Sequence, residues 1–206
     1  MRLPLIVAAF CALAGMAHAA DLTVTVRSAA GKPVADAVVS VYPASGAGGA
    51  RLEGPFKMTQ HDIMFDPLVL IVPVGAEVSF PNLDKVRHHV YSFSPAKTFE
   101  LKLYGHGEAP TVKFDKAGIV SIGCNIHDRM VAFIDVVDTP YAAKTNAQGV
   151  AVVRGVPVGS ARVKVWHPYG KAKDGAVEQT LAIGATAQAL SVPVETRAAP
   201  MSHGSY

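Results

Sequence analysis

The sequence is poor in cysteine, in aromatic residues and in charge. Its 206 residues include two cysteines, 7% aromatic residues and 17% charged residues, with a net charge of +3. It has no clustered basic stripe of the kind that binds nucleic acid. No glycine-rich phosphate loop follows a strand and opens a helix, and no carboxylate pair has a spacing convincing for a glycosidase. Nucleic-acid binding, nucleotide binding and glycoside hydrolysis are therefore not indicated.

The sequence also has no apolar run long enough to span a bilayer. Its one extended apolar segment, residues 3–15, follows Arg2 and precedes the small-residue triplet Ala17-His18-Ala19. This arrangement predicts a secretory signal peptide, residues 1–19, cleaved after Ala19. We therefore expect a periplasmic protein with no membrane span.

Removal of residues 1–19 would take Cys11 away and leave Cys124 as the one cysteine of the mature chain. A disulfide within that chain is then impossible. A lone thiol in an exported protein is reactive unless something occupies it, and a bound metal ion is the simplest occupant. An inert buried thiol is the alternative, because free cysteines are often buried.

Short apolar runs separated by turn residues predict an all-β protein. Residues 22–26 and 37–41 alternate between apolar and polar side chains, as expected for a half-buried sheet. Similar runs predict strands at residues 63–67, 69–73, 77–80, 90–93, 99–103, 112–114, 119–124, 131–137, 150–153 and 161–168. The glycine- and alanine-rich segment 44–50 predicts a flexible linker.

The candidate metal ligands are concentrated in residues 123–130, Gly-Cys-Asn-Ile-His-Asp-Arg-Met. Cys124, His127 and Met130 offer a thiolate, an imidazole and a thioether at intervals of three residues. A loop that folds back on itself can aim these donors at one point, and together they suit copper. A second imidazole must come from His88 or His89. Neighbouring strand residues face opposite sides, so one of the two can reach the metal.

This pattern resembles the cupredoxins, the small blue-copper electron carriers. The spacing C-x2-H-x2-M is similar to the short ligand loop of amicyanin, and Ser79-Phe80-Pro81-Asn82 resembles the strand that enters the family's copper site. The spacing from Asn82 favours His88 as the first histidine ligand. The resemblance implies a cupredoxin Greek-key β-sandwich over residues 52–137, holding one type 1 copper ion through His88, Cys124, His127 and a weak axial Met130.

The resemblance also implies a function. A protein of this kind would be a one-electron carrier and not an enzyme, with His127 as the electron port and Asp128 and Arg129 as a charged rim. Its partner would be a redox protein such as a periplasmic dehydrogenase or a cytochrome. A copper storage or delivery protein is the alternative. Cys–His nucleophilic catalysis fits less well, because two imidazoles and a methionine around one thiolate describe a metal site. We expect His61 and His106 to be surface residues.

The segments that flank residues 52–137 resemble a carboxypeptidase regulatory-like, or transthyretin-like, β-sandwich. The similarity lies in the alternating strands around Gly31-Lys32-Pro33 and in the later turns at 145–149 and 156–159. We expect residues 21–50 and 138–195 to form one sandwich into which the cupredoxin domain is inserted, because neither flank alone has enough strands to bury a core. Three serial pieces are the simpler alternative. In a storage or delivery protein, this outer sandwich would serve docking or adhesion. Residues 197–206 are predicted to be a disordered tail.

Overall fold

The computed structural model describes residues 19–46, 48–49 and 52–198. Regular structure in these residues is almost entirely β, so the prediction of an all-β fold is confirmed. No helix in the described ranges is long and apolar enough for a membrane crossing. A short 3-10 turn covers Lys173–Gly175. The strands are β1 (Ala19–Arg27), β2 (Val38–Pro43), β3 (Phe56–Lys57), β4 (Thr59–His61), β5 (Met64–Asp66), β6 (Val69–Pro73), β7 (Ala76–Ser79), β8 (His88–Ser94), β9 (Lys97–Tyr104), β10 (Thr111–Phe114), β11 (Gly118–Cys124), β12 (His127–Val137), β13 (Ala142–Lys144), β14 (Val150–Pro157), β15 (Gly159–Trp166), β16 (Ala176–Ile183) and β17 (Gln188–Pro193).

Three of the sequence predictions fall partly or wholly outside the described residues. The predicted signal peptide lies outside them except for Ala19, which begins β1. Within the predicted linker 44–50, the amide of Ala44 donates to the carbonyl oxygen of Ser160 at 2.8 Å. At the start of the predicted tail 197–206, the amide of Arg197 donates to the carbonyl oxygen of Tyr169 at 2.8 Å. These three predictions remain predictions.

Strands from the two ends of the described chain pair with each other. β1 lies between β14, antiparallel, and β17, parallel, while the second sheet has the order β13-β2-β15-β16. Every second residue of β1 is buried, as its period-two pattern predicts. The two sheets enclose a valine-rich core that includes Val24, Val39, Val153 and Val163.

Strands from the middle of the chain form a separate pair of sheets. One has the order β10-β7-β3 and the other the order β6-β12-β11-β8-β9, with the β4–β5 hairpin beside them. Their core contains Phe80 and Phe114, both fully buried, and it also contains Cys124 and Met130. The sequence-predicted ligand loop therefore lies at the edge of a packed hydrophobic core.

The two pairs of sheets contact each other through a third, smaller cluster. Val38, Val69 and Trp166 form its buried centre, and Phe133 packs against them. The rings of Phe133 and Trp166 have centroids 6.0 Å apart. Because strand side chains alternate, Phe133 of β12 faces away from the core that contains Cys124 and lies against this contact.

Candidate metal centre

Cys124 and His127 face each other across a tight hairpin. Cys124 ends β11, His127 begins β12, and the two residues pair across a two-residue turn at Asn125 and Ile126. Residues that flank such a turn point their side chains to the same face of the hairpin. The interval of three residues between the thiol and the imidazole is therefore what this turn requires, and Cys124 Sγ lies 3.6 Å from His127 Nδ1.

The hairpin changes register immediately beside this pair. Gly123 is paired with Val131, whereas Cys124 is paired with His127, so residues 128–130 form an irregular stretch on the β12 side. Such irregularities redirect side chains and are common beside functional sites. Met130 ends the stretch, is 1% exposed and belongs to the same core cluster as Cys124.

His88 reaches the hairpin from the neighbouring strand. It begins β8, which pairs with β11 through Tyr91 and Gly123. The potential ligand atoms of His88, Cys124 and His127 all lie within 4.8 Å of one another. Of the four residues predicted to bind metal, the structure thus brings three together at one point and buries the fourth, Met130, in the adjoining core.

The two nitrogens of His88 have different surroundings. Nε2 lies 2.7 Å from Oδ2 of Asp84, whereas Nδ1 is buried and has no hydrogen-bond partner among the described residues. A buried polar atom without a partner is costly unless something occupies it. His88 thus has one nitrogen free to bind a metal ion, and a nitrogen of its ring lies within 4.8 Å of a thiol and a second imidazole.

His127 lies at the boundary between the core and the surface. Burial lowers the pKa of His127, and the neighbouring His88 lowers it further, against the opposing effect of the Asp84 carboxylate. A lowered pKa keeps the imidazole neutral near pH 7, which is the form that binds metal ions. The adjoining Ile126, Asp128 and Arg129 are exposed.

A buried polar network supports the loop that leads to His88. The side-chain amide of Asn82, fully buried, donates to the carbonyl oxygens of Val86 at 2.9 Å and Tyr104 at 3.2 Å, and its Oδ1 accepts from the amide of Asp84 at 2.9 Å. Beneath it, Gln60 donates to the hydroxyl of Tyr104. Burial raises the pKa of that phenol far above its usual value, so it stays protonated. The loop is therefore held at several points before it reaches the ligand.

The remaining candidate histidines lie away from the cluster. His89 turns to the other side of β8, where its Nε2 lies 2.8 Å from Oε1 of Glu100. His61 is partly exposed and contacts Asp62 and Asp66. His106 is exposed, and its Nδ1 lies 3.2 Å from the carbonyl oxygen of Asp84. Only the group around His88 has three potential ligands close together among the described residues.

Sequence reasoning missed Asp84. The available signal was its position, because it is the one acidic residue between Asn82 and His88. A carboxylate four residues before a metal-binding histidine can reach the outer ring nitrogen when the chain between them turns.

No family model matches the chain, and no curated protein sequence matches it. Among solved structures, a Cu-containing nitrite reductase from Thermus scotoductus SA-01 is 30% identical with a TM-score of 0.39, and the match covers 46% of this chain but only 25% of the reductase. A purple cupredoxin from Nitrosopumilus maritimus is 22% identical with a TM-score of 0.36, covering 40% of this chain and 100% of that protein. A reduced Cu(I) amicyanin variant is 19% identical with a TM-score of 0.38, covering 50% of this chain and 99% of the amicyanin.

Over about half of its length, the chain is similar to cupredoxins. This similarity is the one expected from the ligand-loop pattern. The matches leave the prediction for the flanking segments untested.

Proposed function

We propose that this protein binds one type 1 copper ion through His88, Cys124, His127 and Met130 and carries single electrons in the periplasm. The observation that carries the proposal is the convergence of two imidazoles and a thiol, with ligand atoms within 4.8 Å of one another, at the edge of a β-sandwich core.

The types of donor favour copper over other metals. Structural zinc sites are usually completed by a fourth cysteine, histidine or carboxylate. No fourth such side chain joins His88, Cys124 and His127 among the described residues. The remaining predicted donor is the thioether of Met130, which lies in the same core cluster as Cys124. A cysteine with two histidines and a weak methionine is the blue-copper set. A bound copper ion supplies a Cu(II)/Cu(I) couple that accepts and releases one electron.

The scaffold limits the movement of the ligands. β11, which carries Cys124, lies between β12, which carries His127, and β8, which carries His88. Each of these ligands is thus fixed at the end of a hydrogen-bonded strand, and Met130 is packed in the core. Such a site would change little between the two oxidation states, which lowers the barrier to electron transfer.

His127 would be the port through which electrons enter and leave. It is less buried than His88 and Cys124, and it lies among exposed residues of the hairpin turn. A redox partner protein, such as a dehydrogenase or a cytochrome, would dock there. The protein itself would have no turnover of a substrate.

We also propose that residues 52–137 form a domain inserted into a sandwich made of residues 21–50 and 138–195. Strand pairing supports this division, because within the described part of the chain β1 and β2 pair only with strands that follow residue 141. The chain that returns from the proposed insertion contacts β2, since the hydroxyl of Thr139 donates to the carbonyl oxygen of Val41 at 2.6 Å. Replacing residues 52–137 with a short glycine linker should leave a β-rich protein that unfolds cooperatively, whereas an unfolded product would contradict the division.

Electrochemistry of the copper-loaded protein tests the carrier function. A carrier should give a reversible one-electron wave and retain its metal in both oxidation states when challenged with a chelator. A Met130→Leu variant should keep the wave at a changed potential, since methionine is proposed as the weak ligand. Rapid loss of copper to the chelator, with irreversible cycling, would instead indicate storage or delivery.

A further inference from the structure

The carboxylate of Asp84 is held between a metal-site histidine and the tip of a hairpin. Its Oδ2 lies 2.7 Å from Nε2 of His88, whose side chain is fully buried, and the side chain of Asp84 is itself only 13% exposed. An ionised carboxylate can only accept hydrogen bonds, so Nε2 of His88 carries the proton of this contact.

The other side of the carboxylate accepts two backbone amides. The amide of Asp62 donates to Oδ1 at 2.7 Å, and the amide of Ile63 donates to Oδ2 at 3.0 Å. Both residues lie in the turn between β4 and β5 and have positive φ angles, 53° and 55°. This turn directs two successive N–H groups at one carboxylate. The hairpin therefore orients Asp84, and Asp84 orients His88.

Asp84 also stays ionised in this position. Both of its oxygens accept hydrogen bonds, Oδ1 from the Asp62 amide and Oδ2 from the Ile63 amide and His88 Nε2, and hydrogen bonds of this kind favour the ionised carboxylate. A proton fixed on Nε2 of a neutral imidazole leaves the lone pair on Nδ1, the buried nitrogen that has no partner within the described chain. The contact thus selects the tautomer whose free lone pair lies on the buried nitrogen, the form that can bind a metal ion there.

We propose that Asp84, clamped by the β4–β5 turn, is a positioning residue that fixes the tautomer of His88 and favours Cu(II) over Cu(I). This inference rests on the proposed function for its redox part. A carboxylate bonded to the outer nitrogen of a histidine ligand makes that histidine more basic. A more basic ligand stabilises the ion of higher charge more strongly, so the carboxylate lowers the reduction potential.

The variant Asp84→Asn tests the redox part. Asparagine can still accept from Nε2 of His88, but it carries no negative charge, and its amide group cannot accept from both hairpin amides. Loss of such an outer contact typically costs 10- to 100-fold in metal affinity. A tenfold loss that affects Cu(II) but not Cu(I) raises the reduction potential by about 59 mV for a one-electron couple.

Asp62→Asn is the matched control. It removes one negative charge from the hairpin that holds Asp84, its side chain is 92% exposed, and its contact is with His61 rather than with His88. Asparagine also tolerates the positive φ of this position. The control should leave the potential near the wild-type value. Equal shifts of the reduction potential in both variants would mean that the loss of any nearby negative charge has the same effect, and this would overturn the proposal. An unchanged potential in Asp84→Asn would also overturn it.

A second measurement needs neither copper nor the variant. In the wild-type protein without metal, at an alkaline pH where imidazoles are neutral, 15N NMR should show His88 with its proton on Nε2 and a bare Nδ1. A proton on Nδ1 would overturn the positioning role. This measurement does not depend on copper, so it tests the Asp84 proposal separately from the copper proposal. Failure of the copper proposal would appear as a wild-type protein without a copper–thiolate absorption band.

Discussion

The imidazole rings of His88 and His127 lie edge to face, with centroids 5.0 Å apart and an interplanar angle of 62°. They come from β8 and β12, which are separated in the sheet by β11, the strand that ends in Cys124. The central strand thus supplies the thiol, and the two flanking strands supply the imidazoles. This order brings residues that are distant in sequence to one end of one sheet.

Met130 should tune the copper site more than it stabilises the fold. Met130→Leu conserves side-chain volume, so the free energy of unfolding should change by less than about 1.5 kcal/mol. If Met130 is the weak donor to copper, its loss should raise the reduction potential, because such a donor stabilises Cu(II) more than Cu(I). Met58→Leu makes the same change at another fully buried position of the same core cluster and should not alter the potential. If the two variants give the same potential by voltammetry, Met130 is not a ligand.

Asn82 should be important for stability although it is not a ligand. Asn82→Ala removes the hydrogen bonds to the carbonyl oxygens of Val86 and Tyr104, and the contact with Tyr104 is buried. Removing one partner of a buried hydrogen bond costs about 1–3 kcal/mol. Urea unfolding of the metal-free variant should show a loss of that size. Asn125→Ala, on the exposed hairpin turn, should cost no more than about 0.5 kcal/mol. Equal midpoints for the two variants would argue against the role assigned to Asn82.

Strands and turns that depend on local sequence pattern could be predicted. Contacts between segments that are distant along the chain could not, because no local pattern signals them. Alternation predicted the strands around Cys124, and the C-x2-H spacing matches a two-residue turn. The strands β16 and β17 were not predicted, and neither was the β4–β5 turn that binds Asp84. That contact joins segments about twenty residues apart through backbone amides, which carry no signature of residue type. Alternation along β12 does not reveal that Phe133 and Asp135 are covered. In the structure, Phe133 packs against the cluster that contains Trp166, and Asp135 is buried.

Asp135 should make stability depend on pH. Burial raises its pKa from 3.8 to about 6, with Lys164 opposing the effect and Asp138 adding to it. Because the folded protein holds this proton to higher pH than the unfolded chain does, the free energy of unfolding should fall as the pH rises from about 4 to about 6. At about 1.4 kcal/mol per pKa unit, the loss is at most about 3 kcal/mol.

Asp135→Asn removes the charge that is costly to bury, so the variant should be more stable than wild type above about pH 6. Its free energy of unfolding should also fall less than that of wild type between about pH 4 and about pH 6. Urea unfolding of the metal-free proteins at about pH 4 and about pH 7 measures both effects. Asp115→Asn is the control, since Asp115 is exposed and pairs with Lys113 at the surface at 3.2 Å. A wild-type slope that persists in Asp135→Asn would assign the pH dependence to another group.

The visible absorption spectrum of the copper-loaded protein tests the central claim most directly. If the sulfur of Cys124 binds copper beside the two imidazoles, the oxidised protein should show an intense thiolate-to-copper band that disappears on reduction. The band should be absent in Cys124→Ser, which keeps both histidines and nearly the same side-chain size. A wild-type spectrum without that band, or a band that survives in Cys124→Ser, would contradict the account.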